Sequence, residues 1–182
     1  MNTQEVKGTL AKLLATENLT VEHRKVSTAC FDVDKRLLIL PIWKTASSTV
    51  YDLLVGHEVG HALYTPPEDF SDVSKAFVNV LEDARIEKMM KVTYPGLRRS
   101  FFDGYRELWE RDFFGVKNES VYDLSLIDRI NLYFKGKPDM VFSDDERTWV
   151  DRAANTKSFQ EVIQLARELW EYVNQKNDET ET

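Results

Sequence analysis

The sequence contains two histidines four residues apart, with a glutamate directly after the first: His57, Glu58 and His61 form an HExxH motif. On an α-helix, residues four apart lie on one face, so both imidazoles can bind one metal ion. Zinc favours nitrogen ligands, and a catalytic zinc keeps one position open for water. Glu58 can then act as general base on that water. The motif predicts zinc-dependent hydrolysis of peptide bonds.

A catalytic zinc needs a third protein ligand, and the only other histidine, His23, precedes the motif. We therefore expect a carboxylate, as in sites with two histidines and a glutamate. Residues 77–90 (FVNVLEDARIEKMM) have the apolar content of a buried helix, interrupted by four polar side chains: Asn79, Glu82, Asp83 and Glu87. Charged groups on a buried helix are paired or bind metal.

Two carboxylates compete for this ligand position. Glu82 follows His61 by 21 residues, a distance over which a loop and a second helix can return the chain to the metal, and we favour it. Asp83 is the alternative ligand. Asn79 and Glu87 lie four residues on either side of Asp83, so these three share one helical face and can orient the histidines. Pairing of Glu82 and Asp83 with nearby basic side chains is the competing interpretation.

A peptidase also needs a hydrogen-bond donor near the oxyanion of its transition state. The sequence offers four candidates downstream of the first motif histidine: Tyr64, Arg85, Tyr94 and Tyr105. We select Tyr105, in the segment SFFDGYREL, because it follows the expected ligand helix. Tyrosines are also common core residues with one hydrogen-bonded hydroxyl, which is the alternative interpretation.

Short strands and a capped helix must position the motif. Residues 26–33 and 37–42 are β-prone and flank a turn, which predicts two antiparallel strands. Residues 37–41 are the candidate edge strand for an extended peptide substrate. Ser47, Ser48 and Thr49 supply N-caps for a buried helix that ends at Pro66, in which Gly56 and Gly60 mark close approaches of another backbone.

The remaining chain is predicted to be helical. Helices are expected from Ser71 or Ser74 to about Val92, over residues 97–113 and 121–135, from a capping box at Ser143 and Glu146, and over 158–175. We therefore predict an α+β fold: one mainly helical domain over residues 1–175 with a small antiparallel sheet before the motif helix. Residues 176–182 are polar and are expected to form a tail or the start of a linker.

Composition limits the partners. The 182 residues carry 24 Lys and Arg against 31 Asp and Glu, a net charge of -7, which argues against nucleic acid. Cys30 is the only cysteine, so no intrachain disulfide can form. The sequence has neither an apolar run of the roughly 20 residues that a membrane helix needs nor the pattern of a signal peptide at its start. We expect a cytoplasmic protein with a peptide or protein substrate and no membrane partner.

The segments HEVGHALYTP and NVLEDARIEK resemble the gluzincin branch of the zincin metallopeptidases, in which a glutamate on a following helix completes the site. They are more similar to the metallopeptidase region of CobT-like proteins associated with von Willebrand factor A domains, including phage-encoded peptidases. The resemblance covers about residues 30–100 and implies a bacterial or phage-infected cell. It implies His57 and His61 as zinc ligands, Glu58 as catalytic acid/base and Glu82 as third ligand. This chain departs from the pattern at Ile86, where an aspartate is expected.

A role without catalysis is the alternative. The domain would bind zinc and act as a protein-interaction module, together with a partner such as an ATPase. Glu58 favours the enzyme, because a purely structural zinc site does not require a general base. A hydrolase of small molecules is a third interpretation of the same motif.

Overall fold

In the computed structural model, which describes residues 2–181, helices form most of the chain and the strands form one small sheet, so the predicted α+β class is confirmed. The seven α-helices in this range are α1 (Thr3–Ala15), α2 (Ser48–Tyr64), α3 (Lys75–Thr93), α4 (Leu97–Glu110), α5 (Leu126–Phe134), α6 (Asp144–Ala154) and α7 (Phe159–Glu181). The strands are β1 (Thr20–Arg24), β2 (Cys30–Asp32) and β3 (Leu37–Pro41). No helix within residues 2–181 has both the length and the apolarity needed to cross a membrane.

The sheet has the order β1-β3-β2. The predicted antiparallel pairing is confirmed, with Phe31 of β2 opposite Leu38 of β3. β1 was not predicted, and it pairs parallel to β3, so the sheet is mixed. Because β3 has a neighbour on each side, the prediction that residues 37–41 form a substrate-binding edge is wrong. Its continuous apolar run is that of a buried central strand.

The chain divides into two compact units. One contains the residues up to Pro67 together with Ile86–Gly115, and the other contains Glu68–Arg85 and the residues from Val116 onward. α3 is continuous and contributes its first half to the second unit and its last half to the first. The single domain predicted for residues 1–175 stays a prediction.

In the first unit, α2 packs against α1, α4 and the sheet. The predicted approach of another backbone at the two glycines of the motif helix is wrong, because the nearest atoms belong to side chains, and only at Gly60 are they closer than ordinary contact. A Cβ on Gly56 would lie 3.4 Å from Leu97 and Phe101, and one on Gly60 would lie 2.7 Å from Ile86 Cδ1. α2 is therefore held closely on two sides, which fixes the side chains that it presents.

In the second unit, the first half of α3 shares an apolar core with α5, α6 and α7. The predicted capping box of Ser143 and Glu146 opens α6. The single helix predicted over 121–135 is interrupted, because Ser125 caps a new helix after a short 3₁₀ turn. α7 continues to Glu181, so the polar segment expected to form a tail is helical as far as that residue.

Candidate metal centre

The two motif histidines lie one helical turn apart on the same face of α2. Their ring centroids are 5.0 Å apart, and the ring planes cross at 74°. The helix begins where Ser47 accepts a hydrogen bond from the Val50 N–H, and it ends where the Thr65 N–H donates to the His61 carbonyl. Both imidazoles are partly exposed on a helix whose other faces are mostly buried. The predicted pair of imidazoles is therefore presented by a rigid element.

Each imidazole has a partner at Nδ1. His57 Nδ1 lies 2.7 Å from Glu87 Oε1, and His61 Nδ1 lies 2.9 Å from the Thr65 hydroxyl. An ionised carboxylate accepts hydrogen bonds but cannot donate them, so His57 Nδ1 carries the proton, and in the neutral imidazole Nε2 carries the lone pair that a metal needs. Hydrogen bonds of this kind typically orient metal-binding histidines. The predicted role of Glu87 in orienting a histidine agrees with this contact.

Tyr105 is bound to the same carboxylate. Its hydroxyl donates to Glu87 Oε1, the oxygen that faces His57, and both side chains are buried. A phenol has one proton to donate. The prediction that Tyr105 stabilises an oxyanion is not supported by this arrangement, because the hydroxyl already donates its one proton in the hydrogen bond to Glu87.

The carboxylates of α3 differ in their surroundings. Asp83 lies one turn before Glu87, the partner of His57, on the same face of this continuous helix. Glu82 forms a bidentate pair with Arg85. The predicted third ligand is thus paired within α3, whereas Asp83, the alternative ligand, shares the face of Glu87. Asn79 is exposed.

Asp83 has a cationic neighbour at the C-terminal end of α5, the C-cap residue Lys135. Its Oδ2 lies 2.9 Å from the Lys135 ammonium, and both side chains are largely buried. A carboxylate has two oxygens, so one can stay on Lys135 while the other faces a metal. This pairing satisfies part of the charge of Asp83 when no cation is bound.

Glu58, the predicted general base, is 8% exposed on α2. Its charge acts on Cys30 of β2: partial burial and the Glu58 carboxylate both raise the pKa of the Cys30 thiol. β2 also packs against α2, the helix that carries Glu58. Among residues 2–181, β2 pairs only with β3 and is an edge of the sheet. The edge strand near the motif is thus β2 and not β3.

Two residues that position the motif helix were missed by sequence reasoning. Thr65, four residues after His61, is read from the sequence only as part of a helix stop, although its spacing is the signal for a side-chain contact. Arg36 lies in the turn before β3, and its guanidinium donates to the Ala62 carbonyl near the end of α2. No local sequence pattern points to that long-range contact.

The donor set fits zinc. Two imidazole nitrogens and one carboxylate are ligands that zinc accepts, and the count leaves a position for water. The hydrogen bonds at both Nδ1 atoms are those expected around metal-binding histidines. The chain matches no protein-family model, no curated protein and no solved structure.

Proposed function

We propose that this chain is a zinc-dependent metallopeptidase of the zincin type. The observation that carries the proposal is the pair of imidazoles on α2, with centroids 5.0 Å apart and both Nδ1 atoms hydrogen-bonded. Those hydrogen bonds occupy Nδ1 of each ring and leave Nε2 for a metal. His57, His61 and Asp83 are the proposed ligands, since Asp83 shares the face of Glu87 on α3 while Glu82 pairs with Arg85.

His57, His61 and Asp83 would hold the zinc ion, which would supply a Lewis acid for the scissile carbonyl and lower the pKa of the attacking water. Glu58 follows the first proposed ligand directly. In the proposed reaction, its carboxylate accepts a proton from the attacking water and returns it to the leaving amine. The water oxygen bonds to the carbonyl carbon, the C–N bond breaks as the amine nitrogen takes up the proton, and water is the only co-reactant.

The proposed substrate is an extended peptide that adds to the free side of β2. This strand packs against the motif helix and carries Cys30, whose thiol pKa is raised by burial and by the Glu58 carboxylate, which supports β2 as the edge strand beside the general base. Backbone hydrogen bonds to an edge strand bind peptides with little dependence on their sequence. Residues 37–41, the strand predicted for this role, are enclosed in the sheet.

Metal content is the first test. We expect protein purified without chelators to contain about one zinc per chain. His57→Gln and His61→Gln should each lose it. Wild-type protein that neither contains zinc nor takes it up on dialysis contradicts the whole proposal.

Peptide cleavage is the second test, measured on a broad peptide library. Glu58→Gln should retain zinc and lose cleavage, whereas Glu171→Gln, an exposed glutamate on α7, should keep both. Purifying all three proteins by one protocol controls for a contaminating peptidase. Zinc binding with no cleavage by wild type would reject the peptidase and favour the interaction module working with a partner such as an ATPase.

A further inference from the structure

Tyr105 and Glu87 form a buried pair that ends on a proposed metal ligand. We propose that Tyr105 is a positioning residue that acts through Glu87 on His57, fixing both the ring orientation and the nitrogen that faces the metal. This inference rests on the metal site proposed above. It also gives Tyr105 a role different from the oxyanion donor expected from the sequence.

A single oxygen atom joins the two contacts. Glu87 Oε1 accepts from the Tyr105 hydroxyl and lies 2.7 Å from His57 Nδ1. Glu87 is 3% exposed and Tyr105 is 6% exposed, so water competes little for either hydrogen bond. Hydrogen bonds between charged and neutral groups are strong in such surroundings. The three side chains come from α3, α4 and α2, so the packing of these helices, and not local sequence, aligns them.

The second donor changes what Glu87 does to His57. Two donors on one oxygen hold the carboxylate in one orientation, and that orientation selects the imidazole rotamer. The hydroxyl also draws electron density from Oε1, which keeps the shared proton on His57 Nδ1. In the neutral imidazole, the lone pair then lies on Nε2.

The other imidazole provides an internal comparison. His61 Nδ1 contacts a neutral hydroxyl, that of Thr65, at 2.9 Å. A hydroxyl can donate or accept, so Thr65 does not impose a tautomer. Loss of the Tyr105 hydroxyl should therefore disturb His57 alone.

Zinc affinity measured by chelator competition on the full chain tests the coupling. Removing a partner behind a metal ligand typically costs 10–100-fold in affinity, so we expect Glu87→Gln to weaken zinc by about 10-fold or more. Tyr105→Phe should weaken it by about 3–10-fold. If Tyr105 acts through Glu87, the double variant should bind zinc no more weakly than Glu87→Gln alone. Additive losses would show an independent structural effect and overturn the inference.

Tyr51→Phe is the matched control. Tyr51 is also 6% exposed, lies on the motif helix and donates its hydroxyl to the Pro41 carbonyl. It should keep wild-type zinc affinity. An equal loss in Tyr51→Phe would mean that any buried hydroxyl matters, which contradicts a specific role for Tyr105.

A measurement on unmutated protein covers the case in which Tyr105→Phe fails to fold. In metal-free wild type, ¹⁵N NMR should show His57 with its proton on Nδ1, and the Nε2–H tautomer would overturn the inference.

The two proposals fail separately. Absence of zinc from wild type removes the metallopeptidase, whereas zinc and cleavage with an unchanged affinity in Tyr105→Phe removes only the role of Tyr105.

Discussion

Glu82 and Arg85 form a buried bidentate pair on α3, with Arg85 Nε 2.5 Å and Nη2 3.0 Å from the two carboxylate oxygens. Their side chains are 3% and 4% exposed. Charges this far from water require such compensation. The carboxylate expected to bind zinc is thus paired with a cation of the chain itself, and the adjacent Asp83 shares the α3 face of Glu87, the partner of His57.

The first prediction separates these neighbouring carboxylates. Glu82→Gln should lower the free energy of unfolding by about 3 kcal/mol, because it removes the charge of the carboxylate in a buried bidentate ion pair. It should leave zinc affinity nearly unchanged. Asp83→Asn should lower zinc affinity at least 10-fold with a smaller loss of stability, since its ion pair with Lys135 is less buried. Urea unfolding and chelator competition measure the two quantities.

The opposite pattern would restore Glu82 as the ligand. Loss of zinc in folded Glu82→Gln, together with full zinc binding by Asp83→Asn, contradicts the assignment made from the structure. Both substitutions keep the shape of the side chain and remove one charge, so each serves as the control for the other.

The second prediction concerns the close packing of the motif helix. A Cβ on Gly60 would lie 2.7 Å from Ile86 Cδ1 and 3.0 Å from Met90 Cγ. Gly60→Ala should therefore destabilise the protein by about 1–3 kcal/mol through overpacking, despite the higher helix propensity of alanine. Thermal or urea unfolding measures it.

Gly96→Ala is the control for that change. Gly96 precedes α4 with a φ of -61°, and no atom lies within 4 Å of an added Cβ. We expect a change of less than about 1 kcal/mol. Gly60→Ala as stable as wild type would mean that α3 moves away from α2 at no cost.

Local sequence signals predicted the motif helix well. Ser47 caps α2 and the helix ends before Pro66, because both effects act within one turn of the chain. β1 was missed because its sequence, TVEHR, lacks an apolar alternation, and its pairing with β3 joins segments distant in the sequence. Strand order is likewise a tertiary property, which is why β3 was expected at the edge.

Only part of the site was predicted, because local spacing can be read from the sequence and tertiary contacts cannot. Helical periodicity correctly grouped Asp83 with Glu87 on one face of α3. Periodicity does not say which face of α3 meets α2, and that choice depends on packing such as that of Ile86 on Gly60. Glu82 was therefore favoured as ligand, and the contact of Tyr105 with Glu87 was not foreseen.

The third prediction concerns acid stability. Hydrogen bonds from Arg129, and then the capping contact at Ser143, outweigh burial and lower the pKa of Glu146 below its ordinary value. The folded protein therefore holds this carboxylate ionised more strongly than the unfolded chain does. Its contribution to stability is present above the ordinary glutamate range, near pH 4.5, and is lost as the pH falls through the lowered pKa.

Urea unfolding as a function of pH checks this assignment. Wild type should lose more stability between about pH 5 and pH 3 than Glu146→Gln, which has no proton to take up there. Glu171→Gln, which changes an exposed glutamate, should follow wild type. Parallel acid profiles for wild type and Glu146→Gln would contradict the role of the Arg129 pair.

The fourth prediction uses the exposed Cys30 thiol as a probe of Glu58. Partial burial and then the Glu58 carboxylate raise the pKa of this thiol, because both disfavour the thiolate. In metal-free protein, the rate of alkylation by iodoacetamide should therefore rise at a higher pH than for an ordinary cysteine. Glu58→Gln should move that rise to lower pH, because only burial and the Asp32 carboxylate then raise the pKa of the thiol.

Arg24→Gln provides a control of opposite sign. The Arg24 guanidinium lowers the pKa of the Cys30 thiol, so its removal should move the alkylation profile to higher pH. The pair of shifts in opposite directions excludes a general change in access to the sulfur, which would alter the maximal rate in either variant without moving the midpoint. A profile unchanged by Glu58→Gln would mean that the general base does not face β2, and the edge strand would lose its place beside the proposed site.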